Sequence, residues 1–296
     1  MVSHRGAGNL TKRYLTGKEF LSAATDLLHR VRLEGPYEGL YEAADIQWWW
    51  RKENYGSIPD HQLFWFDTAG NAVACLLRQD GNDEWANDFM WLPSAKAVVE
   101  AEVIPEVVAI ISDVDKPSSI FVREDDNVMR HALQAAGFAQ SGEVLVQAEL
   151  VQDPPKTALP PGFYLTSRVE DTLPHHMIKR NGAQVATRLA ECSLYRPDLD
   201  LCIRDASGEV AAYVLFWMDE VTKVGLVEPV RTETQFQRLG LARHLLAEGI
   251  SRLRDLGAIW IRVNHFASNP AATNLYHRCG FVDQFNMLEY RLEAAV

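Results

Sequence analysis

The chain has 296 residues, a length that suits about two domains. It is 47% hydrophobic and 23% charged, which excludes wholesale disorder and leaves apolar side chains for two cores. A net charge of −11 argues against nucleic-acid binding, and no apolar run reaches the roughly 18 residues a membrane-spanning helix needs.

Residues 1–150 hold 13 Lys/Arg and 23 Asp/Glu, whereas residues 151–296 hold 16 and 17, so the negative charge belongs to the first half. Such a surface aids solubility and favours cationic partners. Cys75, Cys192, Cys202 and Cys279 form no CxxC pair and no zinc-type spacing, so free thiols in a reducing cytoplasm are expected, with no metal. Met1–Leu10 is polar and lacks the apolar stretch of a secretory signal, in keeping with a cytoplasmic location.

In chain order, Thr16–Glu19 reads as a capping box before a helix carrying Phe20, Ala24, Leu27, Leu28 and Val31 on one face, stopped by Gly35-Pro36. Leu63–Phe66 and Ala72–Leu77 flank a turn at Thr68–Asn71 and form a predicted hairpin. Short strands follow at Phe89–Leu92 and Ile120–Val122, the second leading to a helix that stops at Gly137. Residues 153–162 contain four prolines and predict an extended linker, dividing the chain into domains 1–152 and 163–296. His175-His176, just after Pro174, reads as an exposed loop.

Beyond the linker, Leu199–Arg204 and Val210–Met218 flank Asp205–Gly208 as a second hairpin, followed by a strand from Val224. Leu241, Leu245, Leu246, Ile250 and Leu253 mark an amphipathic helix, Ile259–Val263 a strand, and Asn269-Pro270 the start of a last helix ending before Gly280. Ala136-Gly137-Phe138, after the last helix of the first half, recurs as Cys279-Gly280-Phe281 after the last helix of the second. With the paired hairpins, this suggests an internal duplication.

Chemistry concentrates at Gln237-Arg238-Leu239-Gly240-Leu241-Ala242, between a strand and a helix. Glycine lets backbone approach a bulky anion, and the helix start offers unpaired N–H groups and a positive dipole end. Residues 231–262 hold six Arg against three acids, a basic patch in an acidic protein, with Arg238 and Arg243 beside the turn.

Gln237-x-x-Gly240-x-Ala242 resembles the acyl-CoA signature of the GNAT superfamily of N-acetyltransferases, and Asn269-x-x-Ala272-x-x-Leu275-Tyr276-x-x-x-Gly280-Phe281 is similar to that superfamily's second motif. The resemblance covers the part of the chain beyond the linker. The first half shares only the outline, as in a tandem GNAT chain with a degenerate first copy. The implied fold is α/β, with two domains each built on a central mixed, mostly antiparallel twisted sheet flanked by helices. The implied donor is acetyl-CoA, whose pantetheine arm would pair with the backbone of Val230 and Thr232. The amides from Arg238 to Arg243 would hold its diphosphate, and Asn269 and Ala272 would close the site from the other side.

Acetyl transfer to an amine needs a base, a donor for the oxyanion and a proton for the departing thiolate. Glu228 is the candidate base, directly or through water. It precedes Thr232 by four residues and so is expected on that residue's face. Tyr276 matches the family's acid, and the Val230 N–H is the expected oxyanion donor. When Gly137 is laid on Gly280, Leu133 stands for Tyr276 and Asp126 for Asn269, and Pro93–Lys96 holds no glycine, so the first domain is not expected to bind acetyl-CoA. Trp48-Trp49-Trp50 reads either as an aromatic wall for a cationic acceptor or as packing.

The leading expectation is direct acetyl transfer to the primary amine of a small, cationic molecule by a monomer or homodimer. The alternatives are a non-catalytic acyl-CoA sensor or assembly module, and a thiol-biosynthesis acetyltransferase similar to mycothiol synthase.

Overall fold

The structure, a computed structural model, describes residues 10–52, 55–81 and 83–294. The first half runs β1 (Thr11–Tyr14), α1 (Gly17–Glu34), α2 (Ala43–Trp49), β2 (Gln62–Phe66), β3 (Ala72–Asp80), β4 (Trp85–Trp91), α3 (Lys96–Val98), α4 (Ile104–Ser112), β5 (Ser118–Arg123), α5 (Asn127–Ala135) and β6 (Ala139–Leu150). The second half runs β7 (Phe163–Ser167), α6 (Ile178–Asn181), α7 (Val185–Ala190), β8 (Asp200–Asp205), β9 (Val210–Asp219), β10 (Val224–Thr232), α8 (Leu241–Asp255), β11 (Trp260–Phe266), α9 (Pro270–Arg278) and β12 (Phe281–Leu292). No helix among the described residues is long and apolar enough to cross a membrane.

Two compact units result, and neither is a continuous piece of chain. The first comprises residues 10–43, 55–144 and 287–294; the second comprises 44–52 and 145–286. The proline-rich segment 153–162 carries no helix or strand and lies within the second unit.

In the first unit the strand order is β1-β2-β3-β4-β5 and then the end of β12. β4 and β5 are parallel, and they pair over three residues, from Trp85↔Ser118 to Asn87↔Ile120. β4 is otherwise in unbroken antiparallel register with β3. The predicted apolar face of α1 is buried, but the Thr16 side chain makes no cap hydrogen bond. The N–H of Gly17 goes instead to the carbonyl of Gly56 at 2.8 Å, so the capping box does not form.

In the second unit the order is β6-β11-β10-β9-β8-β7. β10 and β11 are parallel over three residues, Val224↔Trp260 to Leu226↔Arg262, and then separate. α8 lies on one face, over Phe216, Val214 and Val227. Gly249 permits that contact: a Cβ there would fall 2.0 Å from the Phe216 ring.

Candidate active site

The separation of β10 from β11 has a local cause. Val227 faces Phe216 and Val230 faces Val214, so Glu228 and Pro229 together oppose one residue of β9. Proline has no N–H for the ladder, and the strand bulges there; the Glu228–Pro229 peptide is cis. The extra residue resets the alternation of faces. Val230 and Thr232 share the face of Val214 and Ala212, toward α8, whereas Glu228 turns to the opposite face with Trp217 and Tyr213. The expectation that Glu228 and Thr232 share a face is corrected by this single residue.

On that face Glu228 meets α2 and the turn after it. Asp45 and Trp48 lie beside its carboxyl, with the charges of Arg51 and Lys52 nearby. Its backbone carbonyl accepts from Trp217 Nε1 at 2.8 Å. Burial pushes the Glu228 carboxyl above the usual carboxylate range, and Arg51 and Asp45 draw it part of the way back. Tyr276, on α9, is 6% exposed and packs 5.7 Å from the His265 ring and 5.8 Å from Phe281. Burial first, and the Glu228 carboxylate second, push its phenol well up, so it keeps its proton.

The turn before α8 is open to solvent at Gln237, Arg238, Leu239 and Gly240. Arg238 has φ 65 and Gly240 φ 81, both in the left-handed region, and a Cβ on Gly240 would meet nothing within 4 Å. The first bond into the helix runs from the His244 N–H to the Gly240 carbonyl at 3.1 Å. The N–H groups of Leu241, Ala242 and Arg243 therefore precede any acceptor inside the helix. Leu241 is buried, Ala242 partly buried and Arg243 exposed. Across the splay, Asn269 caps α9 by accepting from the Ala272 N–H at 3.2 Å, and Ala272 is partly buried. Asn264 Oδ1, on β11 beyond its last pairing with β10, is buried with no partner. An open turn of unpaired amides, flanking arginines and an orphaned acceptor in the gap fit the diphosphate and amide arm of an acyl-CoA.

Of the two readings of Trp48–Trp50, packing is the one that fits, whereas the exposed loop expected at His175-His176 is corrected. Trp48 and Trp50 are 3% and 2% exposed, and their faces are covered by Arg51 at 3.5 Å and Arg188 at 3.4 Å. The aromatic wall is thus filled by the chain's own cations. His175 and His176 are buried rather than exposed in a loop, because Asp200, at the start of β8, sits between them. His176 Nε2 is 2.9 Å from one carboxylate oxygen and His175 Nε2 3.2 Å from the other. Tyr195 donates to the same carboxylate at 2.8 Å. Only a long-range partner makes this pair a core feature, and no local signal carries it.

The His175, His176, Asp200 group and a second one, His265, His277 and Asp283, each bring donor atoms within 4.8 Å. His175 Nδ1 accepts the Met177 N–H at 3.2 Å, which places the ring proton on Nε2, the atom facing Asp200. The contacts with Asp200 lack hydrogen-bond geometry, and His175 Nε2, both His176 ring nitrogens and Asp200 Oδ1 are buried without a hydrogen-bond partner. In the second group His277 is exposed and bonds Asp283 at 2.8 Å.

Residues 168–281 match the acetyltransferase (GNAT) family. That family is one of enzymes, and the match lies within the C-terminal half. Likeness to solved GNAT structures extends over both halves. A tandem GNAT protein from the clavulanic acid biosynthesis pathway aligns with a TM-score of 0.67 at 15% identity, over 97% of this chain and 99% of that one. A GCN5-related N-acetyltransferase from Sphaerobacter thermophilus gives 0.61 at 15% identity, covering 96% and 95%. A GNAT-family acetyltransferase from Colwellia psychrerythraea gives 0.61 at 10%, covering 96% and 100%. At these identities the likeness establishes the fold. No curated protein matches the chain in sequence.

Proposed function

We propose that this protein transfers an acetyl group from acetyl-CoA directly to the primary amine of a small molecule, at one site, in the second unit. The observation that carries the reading is the bulge of β10, which presents Glu228 at the gap between β10 and β11, within electrostatic reach of the protonated Tyr276 phenol. Acetyl-CoA supplies the acyl group as a substrate. Amides of residues 238–243 hold its diphosphate, with Arg238 and Arg243 beside them, and the backbone of Val230 and Thr232 aligns its arm. An amine arrives as its ammonium form, and Glu228 takes the proton, directly or through water. The amine nitrogen then bonds the acyl carbon and the Val230 N–H meets the oxyanion; the C–S bond breaks as Tyr276 gives its proton to the departing thiolate, and the second proton that the nitrogen sheds on becoming an amide restores the phenol.

In the first unit, the corresponding gap beside β4 and β5 is a cavity of about 370 Å³. Glu38, Glu100, Asp125 and Asp126 line it against Lys96 and Arg123, and Arg123 is already bonded to Asp125 at 2.8 Å. A diphosphate is repelled there, which supports a single donor site per chain.

Thiol release from acetyl-CoA with a panel of small primary amines tests the reading. Tyr276→Phe is expected to lower kcat by roughly 10²- to 10⁴-fold while leaving coenzyme A affinity within a few-fold. Unchanged turnover in that variant removes Tyr276 from the reaction.

A further inference from the structure

The loop between β7 and α6 carries His175 and His176, and β8 opens with Asp200. All three belong to the second unit, and His175 is 6%, His176 5% and Asp200 0% exposed. Their donor atoms converge. His176 Nε2 lies 2.9 Å from Asp200 Oδ1 and His175 Nε2 3.2 Å from Oδ2, and the two imidazoles stack with centroids 4.7 Å apart. These are hydrogen-bond distances without hydrogen-bond directions, so four buried polar atoms meet at one place with no partner among them. Each has given up water and gained nothing in return, which a fold rarely tolerates even once. A shared cation satisfies donors that point into a common space rather than at one another. Tyr195 braces the carboxylate from outside: its hydroxyl donates to Asp200 Oδ2 at 2.8 Å, as the outer partners of metal-bound carboxylates do. His175 and His176 also line, with Pro174 and Gly208, a surface hollow of about 370 Å³ that gives an ion a way in.

We propose that His175, His176 and Asp200 form a binding site for one zinc ion, which pins the loop before α6 to the start of β8. Two imidazoles and a carboxylate suit zinc, whereas calcium and magnesium take oxygen donors. Donors held at about 2.0–2.2 Å around a tetrahedral zinc stand roughly 3.3 Å from one another, close to the separations found here. Three protein donors leave the fourth position to water. His175 adjusts as the ion enters. Its Nδ1 accepts the Met177 N–H, so the ring proton starts on Nε2 and moves to Nδ1, at the expense of that one hydrogen bond. The other histidine group is a different case: His277 and Asp283 are exposed, and their 2.8 Å contact is an ordinary hydrogen bond. The acetyl-transfer reading uses none of these three ligands, so the two proposals stand or fall separately.

Calorimetric titration of the full-length, chelator-treated protein with zinc chloride tests the site. One zinc per chain is expected to bind at these residues. His176→Gln, similar in volume to the parent residue, is expected to weaken that binding by more than about 100-fold, since a direct ligand outweighs the outer partners whose loss costs roughly 10- to 100-fold. His277→Gln is expected to leave it within a few-fold. Should His176→Gln fail to fold, X-ray absorption at the zinc edge of His277→Gln, altered only on the surface, decides the matter: two imidazoles with oxygen donors are expected. Absence of zinc binding overturns the proposal and assigns the unpaired atoms to buried water. Loss of the site in His277→Gln overturns it too, as does unchanged affinity in a folded His176→Gln or a zinc shell with fewer than two imidazoles.

Discussion

The two clefts of this protein share a frame and differ in what fills it. With Gly137 laid on Gly280, α5 and α9 coincide from first residue to last. Each is capped by its preceding residue: Asp126 accepts from Met129 at 3.0 Å, Asn269 from Ala272 at 3.2 Å. Each follows a strand that pairs in parallel for three residues and then parts from its neighbour. The differences lie at four points. β4 runs in register along β3 where β10 bulges. Leu133, fully buried, stands where Tyr276 does. A Pro93–Ala95 turn without a left-handed residue replaces the Gln237–Gly240 turn. A carboxylate replaces an amide at the helix cap. Backbone topology thus makes the cleft, and a handful of residues set the chemistry of its lining.

The comparison breaks most readily at Gly240. Gly240→Val forces a β-branched residue to φ 81, or moves the turn. Coenzyme A affinity by calorimetry is expected to fall roughly 10- to 100-fold, the equivalent of about 1–3 kcal/mol of backbone strain. Retained affinity would mean that the amides of the turn are not the anchor. Next, the stoichiometry of coenzyme A in the parent protein is expected to be one per chain; a second calorimetric site, lost on filling the first cleft with Met129→Trp, would make the two copies equivalent as binders. The smallest effect concerns stability. Burial keeps His176 below its usual range, and although burial would raise Asp200, the two imidazoles bring it well below. In both cases the unfolded chain binds protons more readily, so stability is full above the ordinary histidine value of about 6.5 and declines as pH falls through it and then through the carboxylate range. Asp200→Asn is expected to flatten the lower part of that decline in thermal melts; an unaltered slope would assign acid sensitivity elsewhere.

The hairpins, α1, α5, α8 and α9 are legible in the sequence because their turn residues and apolar spacing are local. β6 and β12 are not: the first residues of β6, Ala139 to Glu143, are exposed and show no alternation of apolar and polar residues. The turn at Gly240 is visible as a motif. The orientation of Glu228 is not, because the parity argument assumes an unbroken strand; Pro229, lacking an N–H, is the signal for the bulge. Asp45 has no local mark at all. It comes near Glu228 only because a helix from the opposite half of the sequence belongs to the second unit.

The placement of residues 44–52 limits how this protein can be shortened. Cutting at the proline-rich segment 153–162 looks natural on the sequence, but the released C-terminal piece would lose Asp45, Trp48 and Arg51 from beside Glu228. The second unit therefore draws part of its chain from the first half of the sequence, and a cut at the linker divides it.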